Sequence, residues 1–152
     1  MAQKTFVDGD VLTASDINTY LSGEGGAWTS FTPTVGQSGA VTVTNTRSRY
    51  ARYGRTIHFT ISLSVTGSGT GGNNILISLP VTAASAGEAM PGTGVVVDTS
   101  AGLTYVGWSY IQSTTECLIL TDVGTALGAA VFTAALASGD TIKISGTYEA
   151  AA

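Results

Sequence analysis

The sequence is poor in the side chains that most protein chemistry requires. It has one cysteine, Cys117, and one histidine, His58, and charged residues make up only 11% of its 152 residues. A single cysteine excludes a disulfide within the chain and a zinc site built on several cysteines. The net charge of -4 argues against nucleic acid as a partner, because affinity for phosphate comes from clustered Lys and Arg.

Long apolar runs are also missing. No stretch is long enough to span a membrane, and the opening residues 1–10 lack the apolar segment of a secretion signal. We therefore expect synthesis in the cytoplasm and no membrane partner.

Acidic residues and glycines do not form a recognisable catalytic motif. The close pair Asp8 and Asp10 lacks the glycine and the glutamate that complete a calcium-binding loop. The glycine-rich segment 67–74 has no lysine and no following helix, so it predicts a mobile hairpin loop rather than a phosphate-binding loop.

The single histidine has a simple structural interpretation. His58 alternates with apolar residues in the segment 55–66, which places it on the polar face of an amphipathic strand. It would be a general base or a metal ligand only with partners that the sequence does not identify. We therefore predict no catalytic residue, no cofactor and no metal ligand, and we do not expect an enzyme.

The residues that are abundant favour strands and turns. Thr, Ser, Gly and Ala make up more than half of the chain, and 43% of it is hydrophobic. After residue 27, short segments of alternating polarity are separated by turn signals. These predicted strands are 41–44, 50–53, 56–66, 75–79, 94–97, 105–112, 116–120, 130–136 and 141–148. They predict an all-β fold, an antiparallel β-sandwich of jelly-roll type, over residues 27–152.

The alternation within these strands also predicts a core. Its expected members are Ile57, Phe59, Ile61, Leu63, Ile75, Ile77, Leu79, Val106, Trp108, Tyr110, Leu118, Leu120, Ile142 and Ile144. Segment 128–136 has small or apolar residues on both faces, which indicates a strand covered on both sides, with another subunit as one possible cover.

Residues 1–26 follow a different pattern. One short helix is predicted at about 13–22, with Thr13 as N-cap and Asp16 completing a capping box, before a glycine linker at 24–26. A helix this short needs a surface to dock on. We therefore expect a docking arm whose contact side chains are Phe6, Val11, Leu12, Ile17, Tyr20 and Leu21.

Two stretches resemble motifs of tailed-bacteriophage virion proteins. Residues 6–20, FVDGDVLTASDINTY, resemble an opening found near the N-termini of many of these proteins. Residues 28–35, WTSFTPTV, together with RYARYGRTIHF at 49–59 and LP at 79–80, are similar to a pattern of β-sandwich domains in minor tail, tail-fibre, head-fibre and decoration proteins.

The resemblance implies a function and partners. It implies a non-enzymatic virion structural protein, often a homotrimer, whose arm binds a capsid or tail protein and whose jelly-roll-like body lies on the virion exterior. A chain of 152 residues has no room for a long shaft, which favours capsid decoration, a head fibre or a small tail-fibre-type subunit.

Two further sets of side chains are candidates for binding. Four of the six basic residues are close in sequence and predict a polar interface, either with an acidic patch on the virion or with neighbouring loops and subunits: Arg47, Arg49, Arg52 and Arg55. Aromatic faces stack on sugars, so the alternative function is a host-surface carbohydrate-binding (receptor-binding) module of a tail fibre. The candidate glycan contacts are Trp28, Tyr50 and Tyr53, although Trp28 also suits a structural anchor at the start of the body.

Overall fold

The computed structural model describes residues 7–11, 13, 27–87, 92–121, 130–131 and 134–152. Within these residues the chain is all-β, as predicted, with twelve strands and no helix. The strands are β1 (Thr29–Ser30), β2 (Val35–Gly36), β3 (Ala40–Val41), β4 (Val43–Asn45), β5 (Arg49–Tyr53), β6 (Thr56–Val65), β7 (Leu76–Ser78), β8 (Gly92–Asp98), β9 (Leu103–Ser113), β10 (Glu116–Thr121), β11 (Ala130–Val131) and β12 (Thr141–Glu149). The predicted helix at 13–22 lies outside the described residues, apart from Thr13.

Strand positions follow the sequence pattern closely. Eight of the nine predicted strands match observed strands with ends that agree within two residues. The exception is the predicted strand 130–136, of which β11 covers only Ala130–Val131. β1 and β2 were not predicted, because two residues are too few to show alternation.

All strand pairs join into one curled antiparallel sheet. Hydrogen-bonded neighbours follow the order β1-β5-β6-β12-β8-β9-β10-β7-β2-β3, with β11 beside β10 and β4 beside β6. Thr42 alone separates β3 from β4. Because β3 pairs with β2 and β4 pairs with β6, two consecutive strands bring opposite parts of the sheet together. Curling of this kind leaves less unpaired strand edge exposed.

The core lies inside the curl. Buried and more exposed residues alternate along β6 over Thr56–Val65, and His58 lies on the exposed face as predicted. On β12, Ile142 and Ile144 pair with Leu63 and Ile61, and all four are buried. Burying an aliphatic side chain of this size contributes about 1.5–3 kcal/mol relative to exposure, so these rows are a major source of stability.

The predicted core positions on β9 were wrong. Val106 is 63% exposed, and Trp108 is only partly buried. The buried positions of β9 are Gly107, Ser109 and Ile111, and Gly107 pairs with Gly94 on β8. A Cβ placed on Gly94 would lie 2.8 Å from Cγ1 of Ile119. Ile119 therefore fills the interior beside Gly94, whereas Val106 and Trp108 lie on the outer face of β9.

Tyr110 and its neighbours follow the same register. Tyr110 pairs with Leu118 on β10, and Trp108 pairs with Leu120, so these residues share the outer face. The interior positions of β10 belong to Cys117 and Ile119, which were not among the predicted core residues. Leu118 is nevertheless buried, whereas Leu120 and Leu79 are only partly buried.

Segment 67–74 is not a hairpin loop, because the strands on either side of it have different neighbours. β6 pairs with β4, β5 and β12, whereas β7 pairs with β10 and β2. The segment therefore crosses between distant parts of the sheet, and backbone hydrogen bonds hold it there. Gly69 N–H donates to Leu136 O at 2.8 Å, and Gly67 N–H donates to Thr42 O at 3.0 Å.

One buried polar side chain connects the loops at this end. Gln37 is only 1% exposed. Its Nε2 donates to Asn73 O at 3.1 Å and to Ala134 O at 2.7 Å, and its Oε1 accepts from Leu136 N–H at 3.0 Å. All three bonds join segments that are far apart in sequence, so Gln37 holds the crossing segment and the chain before β12 in place.

Candidate functional site

A groove of about 600 Å³ lies on the outer face of β5, β6 and β12. Its volume is within the range of small-ligand sites. The residues that line it include Trp28, Arg49, Tyr53, His58, Thr60, Ser145 and Thr147.

Strand register explains why these residues share one face. Arg49 on β5 pairs with Thr60 on β6, which pairs with Ser145 on β12. Two residues further along β5, Ala51 pairs with His58, which pairs with Thr147 on β12. Directly paired residues point to the same side of a sheet, so the two rows form the floor of the groove.

Trp28 lies at one end of this floor. It directly precedes β1, whose Ser30 pairs with Arg49. The Arg49 guanidinium carbon lies 4.4 Å from the Trp28 ring centroid, a cation–π contact. Trp28 is nevertheless 49% exposed. The register therefore places a large aromatic surface beside a fixed positive charge.

One hydrogen-bond donor of the Arg49 side chain has no acceptor. Its Nε is buried without a hydrogen-bond partner. Within the described part of the chain Arg49 also forms no ion pair, whereas Arg55 pairs with Glu149 at 3.2 Å. A buried donor without an acceptor costs about 1–3 kcal/mol.

Tyr53 and His58 form the other end of the groove. Their rings meet edge to face, with centroids 5.7 Å apart and planes at 84°. His58 Nδ1 and Thr147 Oγ1 share a hydrogen bond of 2.9 Å. Tyr53 is 49% exposed, like Trp28. The groove thus combines aromatic faces, a guanidinium and hydroxyl groups, which suit the binding of a polar ligand with apolar faces.

The candidate glycan contacts divide between the two faces of β5. Trp28 and Tyr53 both line the groove. Tyr50 pairs with the buried Phe59 and packs edge to face on Phe31, with ring centroids 5.9 Å apart, so it lies on the opposite side. Sequence reasoning did not include Arg49 or His58 among the glycan contacts. The alternation of β5, which puts residues 49, 51 and 53 on one face, carried the signal for Arg49.

The four arginines do not lie on one face of the sheet. Arg49 faces the groove, whereas Arg52 pairs with the buried Ile57 on the other face of β5 and donates from Nε to Gly54 O at 2.7 Å. Arg55, in the turn after β5, donates from Nε to Ala150 O and pairs with Glu149. Arg47 is exposed before β5. The polar interface proposed from sequence proximity therefore consists of side chains with different orientations.

The predicted docking residues belong mostly to the part of the chain that is not described. Only Val11 is described, and it is 82% exposed. The others, Phe6, Leu12, Ile17, Tyr20 and Leu21, lie outside the described residues. Before Val11 the chain makes a turn in which Asp10 N–H donates to Val7 O at 3.0 Å and Val7 N–H donates to Asp10 Oδ2 at 3.1 Å.

Two other titratable groups are perturbed for structural reasons. Burial raises the pKa of the Cys117 thiol to about 12, so the thiolate is suppressed at neutral pH. The Ala101 N–H and the Ser100 hydroxyl donate to Asp98 at 2.9 and 2.8 Å and lower the pKa of that carboxyl. Both side chains are buried away from the groove lining.

Two further kinds of feature are absent from the described residues. They contain no cluster of three or more His, Cys, Asp or Glu side chains that could hold a metal ion. None of their segments forms a helix with the length and hydropathy needed to cross a membrane.

Comparisons with known proteins do not assign the chain to a group. No family model matches it, and neither a curated protein nor a solved structure is significantly similar to it.

Proposed function

We propose that the protein is a non-enzymatic structural subunit of a bacteriophage virion, held on the virion exterior by its N-terminal arm. In this proposal the body is a β-sandwich of jelly-roll type, and the arm binds a capsid or tail protein. The subunit is a capsid decoration or head-fibre protein, or a small tail-fibre-type subunit.

The observation that carries the proposal is the spatial convergence of the second motif. Its parts are separated in sequence, yet Trp28 lies against Arg49, and Phe31 packs on Tyr50. Gly54, within this motif, has a φ of 59°, a left-handed conformation that glycine adopts readily and that forms the turn into β6. The pattern thus corresponds to one structural unit, as expected if it marks a type of domain.

Exposed apolar residues support self-association. Val106 is 63% exposed, and its neighbour across the strands, Val95, is only partly buried on the same outer face. Leu103, at the start of β9, is 51% exposed. Apolar surface of this kind is typical of contacts between protein molecules, which agrees with a homotrimer.

Removal of residues 1–23 tests the docking role. We expect the truncated protein to remain folded and to lose its attachment to virions of the phage that encodes it, measured by co-sedimentation. Within the arm, Ile17→Asp should also abolish attachment, whereas the matched control Asn18→Asp should not. A truncated protein that still sediments with virions would contradict the proposal.

The oligomeric state is a separate measurement. Sedimentation equilibrium should give three times the 15.3 kDa of one chain. Val106→Asp should shift the protein toward the mass of a single chain, because a buried charge at a subunit contact is costly. A single-chain mass for the unmodified protein at all concentrations would contradict the trimer.

The groove supports a second candidate, a host-surface carbohydrate-binding module. Trp28 and Tyr53 each expose about half of their surface beside hydroxyl-bearing residues. A glycan array tests this candidate directly. Retention of a defined saccharide would support it, and retention of none would refute it.

A further inference from the structure

We propose that the groove binds a saccharide unit that carries a carboxylate, with Trp28 as the stacking platform and Arg49 as the group that binds the carboxylate. The inference deepens the carbohydrate-binding candidate and rests on it. It does not require the virion role to be correct.

The aromatic ends of the groove suit a sugar ring. A pyranose has apolar C–H faces and a polar rim, and it binds where an aromatic face lies beside hydrogen-bonding groups. Trp28 and Tyr53 both line the groove, and each is 49% exposed. Each therefore offers aromatic surface to a ligand in the groove.

Charge in the groove favours an anion. Among the described residues that line the groove, Arg49 is present and none is Asp or Glu, although acidic residues outnumber basic ones in the chain. Within this described lining, a ligand with a negative charge meets the guanidinium without a competing carboxylate.

The state of Arg49 favours a carboxylate in particular. Its Nε is buried and has no acceptor, and contact with Trp28 restricts the orientation of the guanidinium plane. A guanidinium presents its donors in a planar fork that matches the two oxygens of a carboxylate. Arg49 as a whole is only partly buried and lines the groove, so the carboxylate of a sugar acid would meet the accessible part of this guanidinium while its ring lies against Trp28.

Hydroxyl groups on the floor complete the recognition surface. Thr60 and Ser145 are paired across β6 and β12 next to Arg49. Ser145 Oγ has a long contact of 3.4 Å with Thr93 Oγ1, so this hydroxyl is only weakly engaged. Such groups can exchange hydrogen bonds with the sugar hydroxyls beside the carboxylate.

The test compares ligands that differ only in the carboxylate. The probes are a tetrasaccharide of alternating glucuronic acid and N-acetylglucosamine, and the same tetrasaccharide with its carboxyl groups reduced to alcohols. Binding is measured by calorimetry, and by fluorescence in a Trp108→Phe background, where Trp28 is the sole tryptophan. We expect the acidic tetrasaccharide to bind at least tenfold more tightly than the reduced one.

Variants then identify the residues that are responsible for the preference for the acidic tetrasaccharide. Arg49→Gln should remove the difference between the two ligands. The matched control Arg52→Gln makes the same change in charge on the opposite face of β5 and should preserve the difference. Trp28→Ala should weaken the binding of both ligands. Arg49→Lys keeps the charge without the planar fork, and it should retain only part of the preference if Arg49→Gln fails to fold.

Four outcomes would overturn the inference. Equal binding of the two tetrasaccharides would refute the role of the carboxylate and leave the carbohydrate candidate standing. Equal losses of affinity for the acidic tetrasaccharide in Arg49→Gln and Arg52→Gln would show that the overall charge of the protein alone attracts the ligand. Displacement of the acidic tetrasaccharide by an equal concentration of inorganic phosphate would indicate a simple anion site. Failure of every saccharide to bind would remove both the inference and the carbohydrate candidate, without bearing on attachment to virions.

Discussion

Replacement of Gln37 by alanine would remove the only side chain seen to connect three separate segments at one end of the described sheet. The three hydrogen bonds of Gln37 reach Asn73, Ala134 and Leu136, between 36 and 99 residues away in sequence. Alanine can make none of them. The variant therefore tests whether a buried polar contact holds the crossing segment 67–74 against the rest of the protein.

The size of the effect follows from the number of bonds and their burial. A typical hydrogen bond contributes about 1 kcal/mol net, and a buried partner left without one costs about 1–3 kcal/mol. Leu136, whose N–H is one of the partners, is only 1% exposed. We therefore expect Gln37→Ala to lower the free energy of unfolding by about 3–5 kcal/mol. For a domain of this size that corresponds to a fall in Tm of about 6–20 °C.

Urea denaturation followed by tryptophan fluorescence measures this loss. The matched control is Gln112→Ala, because Gln112 is exposed on β9 and its removal should change the stability by less than about 0.5 kcal/mol. Hydrogen exchange should show faster exchange of the Leu136 amide in Gln37→Ala alone. Equal stability of the two variants would refute the reasoning.

Three further predictions concern Gly92, Cys117 and Asp98. In Gly92→Ala the new Cβ would overlap the Ser145 backbone carbonyl, so the free energy of unfolding should fall by about 1–3 kcal/mol or more. The control Gly39→Ala has nothing within 4 Å of the new Cβ and should have little effect. Similar urea midpoints for the two variants would contradict the predicted overlap. Cys117, with its pKa raised to about 12, should resist alkylation by iodoacetamide in the folded protein and react in urea; rapid modification of the folded protein would contradict its burial. Because the folded-state pKa of Asp98 is lowered from 3.8, its contribution is complete above that value and is lost as pH falls below it. Asp98→Asn should therefore be less stable than the unmodified protein at neutral pH, and the difference should shrink in acid; a difference independent of pH would argue against the lowered pKa.

Local sequence patterns predicted the positions of the strands well, but they predicted less well which face of each strand is buried. The alternation of β6 predicted both its extent and the exposure of His58, because one face of that strand contacts the core and the other does not. On β9 both faces carry nonpolar residues, so alternation could not decide which face is inside. The interior is filled there by Ile119 against Gly94, a contact between different strands that no local pattern records.

The candidate site was predictable only in part. The sequence singled out Trp28 and Tyr53 as aromatic candidates, and both line the groove. It gave equal weight to Tyr50, although odd and even positions of one strand face opposite sides. The partnership of Trp28 with Arg49 joins residues 21 positions apart through the pairing of β1 with β5, and a two-residue strand has no recognisable signature.

By itself the sequence determined that this chain forms short antiparallel strands, because alternating polarity and turn residues act within a few positions of each other. Its composition also determined which reactive side chains are present: few charged residues, one histidine and one cysteine. Only the tertiary structure decided which face of β9 is inside, and that Arg49, Thr60 and Ser145 form one row. The physical reason is that strand register depends on packing summed over the whole curled sheet, and a shift of one residue would exchange the two faces.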